Sequence, residues 1–135
     1  MSTLNVSTIQ SLSTSTVPVI KNSAGTEVGQ FVKAWGTFDG TATVGTLSTF
    51  NFSSITDLGV GYYTLSFENN MPDTNYAIAG NAIKGDSNDD GNQILQAGGT
   101  NINPQLNVGS FNVRTKVASN NNNIDCDKFH VIVIR

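Results

Sequence analysis

Apolar and polar residues alternate with a period of two along most of the chain after about residue 30. In "QFVKAWGTF" (30–38), Ala34 and Phe38 share one side, while Lys33 and Trp35 share the other. This is the period of side chains on one face of a β-strand. The Asp39-Gly40 pair that follows is typical of a hairpin turn. The pattern therefore predicts a strand that ends in a turn.

The same alternation predicts further strands, separated by segments rich in Gly, Asn, Asp and Pro. They are "TLSTFNFSSI", "YYTLSF", "YAIAGNAI", "GNQILQ", "SFNVRTKVA" and "FHVIVIR". In "TLSTFNFSSI" the period of two puts Phe50 and Phe52 on the same face. In "YYTLSF" it puts Tyr62 and Tyr63 on opposite faces, so one of them must face away from the core. With no convincing helical pattern, we expect an all-β fold: an antiparallel β-sandwich or jelly-roll-like head of about seven to eight strands.

Residues 1–30 differ from the rest of the chain. They are rich in Ser and Thr and carry only sparse apolar residues such as Leu4, Val6 and Ile9. Such a segment buries little by itself, so it is either disordered or packed against sister subunits or a larger assembly. We predict an N-terminal arm over 1–30, used for assembly or for attachment to a larger particle, and a head domain over 31–135.

Composition excludes several classes of partner. Of the 135 residues 38% are hydrophobic and 13% charged, and the net charge is −3. Nucleic acids and acidic membrane surfaces bind clustered Lys and Arg, so we expect neither as a partner. No apolar run reaches the length of a membrane span, and the N-terminus lacks the pattern of a signal peptide. The single Cys126 excludes an intrachain disulfide and a Cys-based zinc cluster.

The stretch "KGDSNDDGN" (84–92) is the richest in oxygen ligands. Asp86, Asn88 and Asp90, followed by Gly91, match the first half of an EF-hand loop. The twelfth position of that loop, where calcium needs a bidentate Glu, is Ala97. The same residue types are common in solvated turns. We therefore expect an ordinary turn, with those three residues as a weak candidate for a cation site, and no cofactor.

The sequence offers no convincing catalytic group. Most carboxylates lie in turn-like stretches, where Asp is a turn former. Cys126 and His130 would lie roughly 13 Å apart in an extended strand, too far for proton transfer. We expect His130 to be partly buried or interfacial and Trp35 to belong to the core. The prediction is a protein that is not an enzyme.

Candidate contacts to a ligand lie in the aromatic and Asn-rich positions. A tyrosine that faces solvent can stack on a sugar, and Asn hydrogen-bonds sugar hydroxyls without burying charge. The candidates for receptor contact are Tyr62, Asn101, Asn103, Asn120 and Asn121.

Residues 31–83 carry a resemblance to a known module. "FVKAWGTFDGT" and "FNFSSITDLGVGYYTLSFENNMPDTNYAIAG" resemble a module frequent in tail-fibre-like proteins of marine bacteriophages, especially cyanophages. The opening "TLNVSTIQSLSTSTVPVIKNSAGTEVGQ" is similar to the segment that precedes this module. Residues 84–125 fall outside the resemblance.

The resemblance implies a subunit of a virion appendage, typically a homotrimer with a β-rich head, and transfers no catalytic residue. We therefore expect a virion structural protein made in the cytoplasm of the host bacterium. It would be a small tail-fibre or fibre-head subunit that contacts itself, other virion proteins and a host-surface glycan. The alternatives are a capsid decoration or cement protein and, from another class, a free carbohydrate-binding lectin.

Overall fold

The computed structural model of the chain describes residues 6, 8–9, 19–41, 43–84, 93–97 and 106–135. It divides into two units, residues 1–31 and 32–135. The described part of the first unit contains strands β1 (Ile20–Lys21) and β2 (Glu27–Gly29), which pair antiparallel. Their turn is held by Asn22, whose Oδ1 accepts hydrogen bonds from the backbone N–H groups of Ala24 and Thr26, each at 3.0 Å.

The second unit, here called the head, is a sandwich of two antiparallel sheets. Its strands are β3 (Val32–Asp39), β4 (Gly45–Phe50), β5 (Phe52–Gly59), β6 (Tyr62–Phe67), β7 (Ala77–Ile83), β8 (Gln93–Ala97), β9 (Leu106–Asn107), β10 (Ser110–Val117) and β11 (Lys128–Ile134). The first sheet has the order β4-β3-β11-β7 and the second β5-β6-β10-β8, with β9 also paired to β10. The predicted all-β sandwich is confirmed, with β9 as a short addition to eight longer strands.

Aromatic rings fill the space between the sheets. Phe129 of the first sheet stacks on Phe38 at 5.2 Å and on Tyr63 at 5.0 Å between ring centroids. Farther along, Phe67 and Phe111 of the second sheet lie 5.4 Å apart. Phe38, Tyr63, Phe111 and Phe129 have no exposed surface. Aromatic pairs at these distances add to the hydrophobic gain of burying the rings, so this cluster is the main source of the stability of the head.

The hydroxyl group of Tyr63 makes polar contacts at the edge of this aromatic core. Its hydroxyl contacts the Gly40 carbonyl oxygen at 2.9 Å and Asp125 Oδ1 at 3.1 Å, and Asp125 accepts the Gly61 N–H at 2.7 Å. Burial, followed by the nearby Asp125 charge, raises the pKa of Tyr63 far above its usual value. The phenol is therefore neutral at physiological pH and acts as a hydrogen-bond donor. The network links the β5–β6 turn to the segment before β11.

Asn51 separates two strands that the sequence pattern had joined. We expected Phe50 and Phe52 on one face of a single strand, and this was wrong. Asn51 has φ of 59°, a left-handed conformation that Asn tolerates better than most residues. It ends β4 in the first sheet and starts β5 in the second, so Phe52 is buried at 7% exposure and Phe50 is open at 53%.

Trp35 lies outside the core, contrary to expectation. On β3 the inward positions are Ala34, Gly36 and Phe38, and Trp35 is on the opposite face with 41% of its surface exposed. The inward face has little room, because a Cβ at Gly36 would lie 2.5 Å from the ring of Phe38. The large aromatic residue of β3 that enters the core is therefore Phe38.

Residues 68–76, between β6 and β7, are tied to Arg135 by a salt bridge. Asp73 Oδ1 accepts hydrogen bonds from Arg135 Nε at 3.0 Å and from the Asn75 N–H at 2.8 Å, and Asp73 Oδ2 contacts Arg135 Nη2. The Arg135 hydrogen bonds first, and the Asn75 N–H second, hold the pKa of Asp73 below its ordinary 3.8.

A lowered carboxyl pKa stabilises the fold above the unfolded-state pKa, and that stability is lost as the pH falls through the folded-state value. We expect Arg135→Gln to lose less stability than the wild type between about pH 5 and pH 2, because it has less of this contribution to lose. Melting temperatures of both proteins across that range measure the difference. Parallel curves would contradict the prediction.

Candidate functional site: the outer face of the second sheet

Strand β10 carries polar residues on the outer face of the second sheet. Phe111, Val113 and Thr115 point into the sandwich, so Asn112, Arg114 and Lys116 point to the opposite face. These three polar residues are nevertheless buried, with exposures of 5%, 9% and 7%. The central place of β10 contributes to this burial, because β6 and β8 flank it on both sides.

A hydrogen-bonded network runs from β10 to β6. Arg114 lies opposite Tyr62, and Asn112 lies opposite Thr64. Thr64 Oγ1 donates to Asn112 Oδ1 at 2.8 Å, and Asn112 Nδ2 donates to the Tyr62 hydroxyl at 2.9 Å. The guanidinium carbon of Arg114 lies 4.9 Å from the centre of the Tyr62 ring, within the range of a cation–π interaction. The network fixes Tyr62 on the outer face, against Arg114.

Part of the Arg114 guanidinium group lacks hydrogen-bond partners among the described residues. Its Nε and Nη2 atoms are buried and have no hydrogen-bond partner within the part of the chain that the structure describes. Among the described residues, no carboxylate forms a salt bridge with it. A buried donor without an acceptor costs about 1–3 kcal/mol, and more when it is charged. Such groups are rare in folded proteins, and one explanation is an acceptor that binds from outside the chain.

The two unpaired atoms have a specific geometry. Nε–H and Nη2–H lie along the same edge of the planar guanidinium and point in nearly the same direction. A carboxylate or a phosphate accepts two such parallel hydrogen bonds at once. Both atoms are buried, so a ligand that uses this edge must displace the side chains around it. Arg114 thus presents a two-pronged donor suited to an anion.

Lys116 adds a second positive charge to the same face. Its Nζ donates to Asn121 Oδ1 at 3.1 Å. Asn121 lies in the turn after β10 and has φ of 60°, which Asn tolerates. The turn therefore positions an amide next to the ammonium group, at one edge of this polar face.

The structure places some of the predicted contact residues together. Tyr62 lies at the centre of the polar face, and Asn121 lies at its edge. Asn120 is in the same exposed turn, where its Oδ1 accepts the Asn122 N–H at 3.0 Å. Asn101 and Asn103 lie outside the described residues. Receptor contact by these residues stays a prediction.

The weak cation candidates Asp86, Asn88 and Asp90 also lie outside the described residues. Within the described ranges, no group of three or more His, Cys, Asp or Glu side chains is placed to hold a metal ion. The same ranges contain no helix long and apolar enough to cross a membrane.

Cys126 and His130 have different environments. Cys126 is fully buried, and burial raises the pKa of its thiol, which makes the reactive thiolate less available. His130 lies on the outer face of the first sheet, where its Nδ1 is 3.0 Å from Thr37 Oγ1. The expectation that His130 is partly buried is met.

Asn112, Arg114 and Thr64 were missed as site residues. The signal was present in "SFNVRTKVA", where Asn112, Arg114 and Lys116 alternate with apolar or small residues. Such alternation usually indicates the solvated face of a strand, so it did not single out these residues.

Comparisons with known proteins give no family. No family model matches the chain, and no curated protein matches it. A solved structure that matches is the phiAB6 tailspike, in a crystal structure with three-repeated oligosaccharides of Acinetobacter baumannii surface polysaccharide. The identity is 18%, the TM-score is 0.49, and the match covers 94% of this chain but 30% of the tailspike chain. Similarity of this degree transfers no family and no activity.

Proposed function

We propose that this chain is a structural protein of a phage virion, a small tail-fibre or fibre-head subunit that binds a host-surface glycan through the outer face of the second sheet. The observation that supports the binding role is Arg114, a buried guanidinium with one edge that has no partner among the described residues. The glycan we propose is acidic and carries a carboxylate, as uronic and sialic acids do.

Each neighbour of Arg114 suits a sugar ligand. The carboxylate would accept from Nε and Nη2, which removes the cost of the unpaired donors. Tyr62 offers a ring and a hydroxyl, and a tyrosine of this kind is common where a surface is half apolar and half polar. The exposed Asn121 carries an amide that can hydrogen-bond sugar hydroxyls. Lys116 adds charge attraction without bidentate geometry.

The virion assignment is supported by the resemblance of residues 31–83 to tail-fibre-like proteins of marine phages and by the all-β head. We propose that the protein assembles as a homotrimer, contacts other virion proteins, and is made in the cytoplasm of the host bacterium. It binds glycan without cleaving it, since no nucleophile and base are assembled in the described part of the sandwich.

Binding is tested by titrating the full-length protein with glucuronic acid and with N-acetylneuraminic acid, followed by NMR or calorimetry. We expect saturable binding of at least one acid and none of glucose or N-acetylglucosamine. Incubation with an acidic polysaccharide should release no reducing ends. Binding only to neutral sugars, or to none of the four, would remove the acidic-glycan site from this account.

The location is tested separately, by finding the head in a cryo-EM map of the intact particle. Density for the sandwich in a tail appendage is the expected result. Density on the capsid surface would instead make the protein a decoration subunit, and absence from the particle would reject the virion assignment.

A further inference from the structure

On the outer face of the first sheet, apolar residues form two neighbouring cross-strand rows. Two cross-strand rows form this apolar face: Phe50, Trp35, Ile132 and Ala79 in the first row, and Val32, Ile134 and Ala77 in the second. The rows follow directly from strand register, because residues opposite each other on one side of a sheet lie about 5 Å apart. All seven residues are exposed in the single chain.

The exposed fractions are large for such residues. Phe50 is 53% exposed, Trp35 41%, Ile132 44%, Ile134 43% and Val32 43%. At these fractions the apolar face leaves on the order of 450 Å² of apolar surface open to water, which is the size of the largest apolar patch on a typical monomer, and such a patch is often functional. The core gains nothing from this surface, because the inward side chains of the same strands already fill it.

The area matches the apolar part of a protein interface. A standard interface buries about 800 Å² on each partner, of which roughly 60% is apolar. The next row along the strands is polar, with Ser48, Thr37, His130 and Asn81. An apolar centre with a tryptophan and a polar rim is the usual composition of an interface.

The order of side-chain sizes across the apolar face indicates which partner covers it. Along the first row the residues change from large on β4 and β3, through Ile132 on β11, to Ala79 on β7. Neither of the two rows contains a charged residue. When a copy of the face is turned about an axis parallel to the strands, its large residues lie over the small residues of the first. In a trimer around an axis parallel to the strands, the edge of each face with large residues would likewise meet the edge of the next face with small residues.

We propose that the apolar face is a self-association surface, which packs against the same face of other copies of this chain. The inference rests on the self-association proposed above, for which it names the surface, and it is independent of the glycan site, which lies on the other sheet. It also differs from assembly through the N-terminal arm, since every residue of the face belongs to the head.

The chain contains a reporter for this contact, because Trp35 is its single tryptophan. Light scattering after size exclusion gives the mass, and tryptophan emission gives the burial of Trp35. We expect the full-length protein to have the mass of a dimer or trimer at micromolar concentration, with emission that shifts to longer wavelength on dilution. Ile132→Glu should have the mass of a monomer and the long-wavelength emission at all concentrations.

The matched control is Val60→Glu, which adds the same charge at a residue that is 61% exposed in the turn between β5 and β6. It should keep the wild-type mass. A monomeric wild type, or an Ile132→Glu variant that remains assembled, would overturn the proposal. Arg114→Met should keep the wild-type mass, so failure of the glycan proposal and failure of this one are distinguishable.

Discussion

Phe129→Ala is expected to lower the free energy of unfolding by about 4 kcal/mol, within the range measured for buried aromatic residues changed to alanine. Phe129 has no exposed surface and stacks on both Phe38 and Tyr63. Removing the ring loses its burial and leaves a cavity between the sheets, because the strands on either side cannot close around it.

The measurement is equilibrium unfolding in denaturant, compared at equal protein concentration. Because small domains are stable by about 5–15 kcal/mol, the variant should unfold at much lower denaturant or fail to accumulate. Val60→Ala is the control and should change stability by less than about 0.5 kcal/mol, since Val60 is 61% exposed. A loss at Phe129 no larger than at Val60 would show that the aromatic cluster does not hold the sheets together.

Most of the fold was predictable because strands bury one face. In "YYTLSF" the period of two separated Tyr63, Leu65 and Phe67 from Tyr62, and the structure buries the first three. The same logic located β10 and β11. The strand signal is strong here because each sheet of a sandwich buries alternate residues.

The errors arose where the backbone or the packing changed the expected face. The pattern of Phe50 and Phe52 looked continuous, but the positive φ of Asn51 moves the chain from one sheet to the other. Residue type alone suggested a buried Trp35. The face that carries it was decided by register, because Phe38 and Phe129 are paired on the inward side.

The site was only partly predictable. Tyr62 was identified because it must face away from the core, and Asn121 because it lies in an Asn-rich turn. Arg114 was not identified, because its role depends on burial between β6 and β8, and burial on the outer face of a sheet leaves no periodic signal. A charged residue in the middle of a strand is normally solvated, so only the structure shows its unpaired edge.

Arg114→Met is expected to weaken binding of acidic sugars at least about tenfold while leaving stability unchanged or slightly higher. The substitution removes a buried cation whose Nε and Nη2 have no acceptor among the described residues, which offsets the loss of the interaction with the Tyr62 ring, worth about 2 kcal/mol at a desolvated site. Hydrogen bonds to a charged group contribute about 1.5–3 kcal/mol, so affinity should fall about 10- to 100-fold or more. If Arg114 served only the fold, the variant would bind acidic sugars normally and would lose stability.

Arg114→Lys separates geometry from charge. Lysine keeps the positive charge but lacks the planar edge with two parallel donors, so it should also lose at least about tenfold in affinity. Lys128→Met, on the first sheet, removes the same unit of charge away from the site and should bind as the wild type does. Calorimetric titration with glucuronic acid and N-acetylneuraminic acid, beside thermal melts of each variant, measures both quantities. If Arg114→Met bound normally but melted well below the wild type, Arg114 would be a structural residue, because its unpaired edge would then serve the fold and not a ligand.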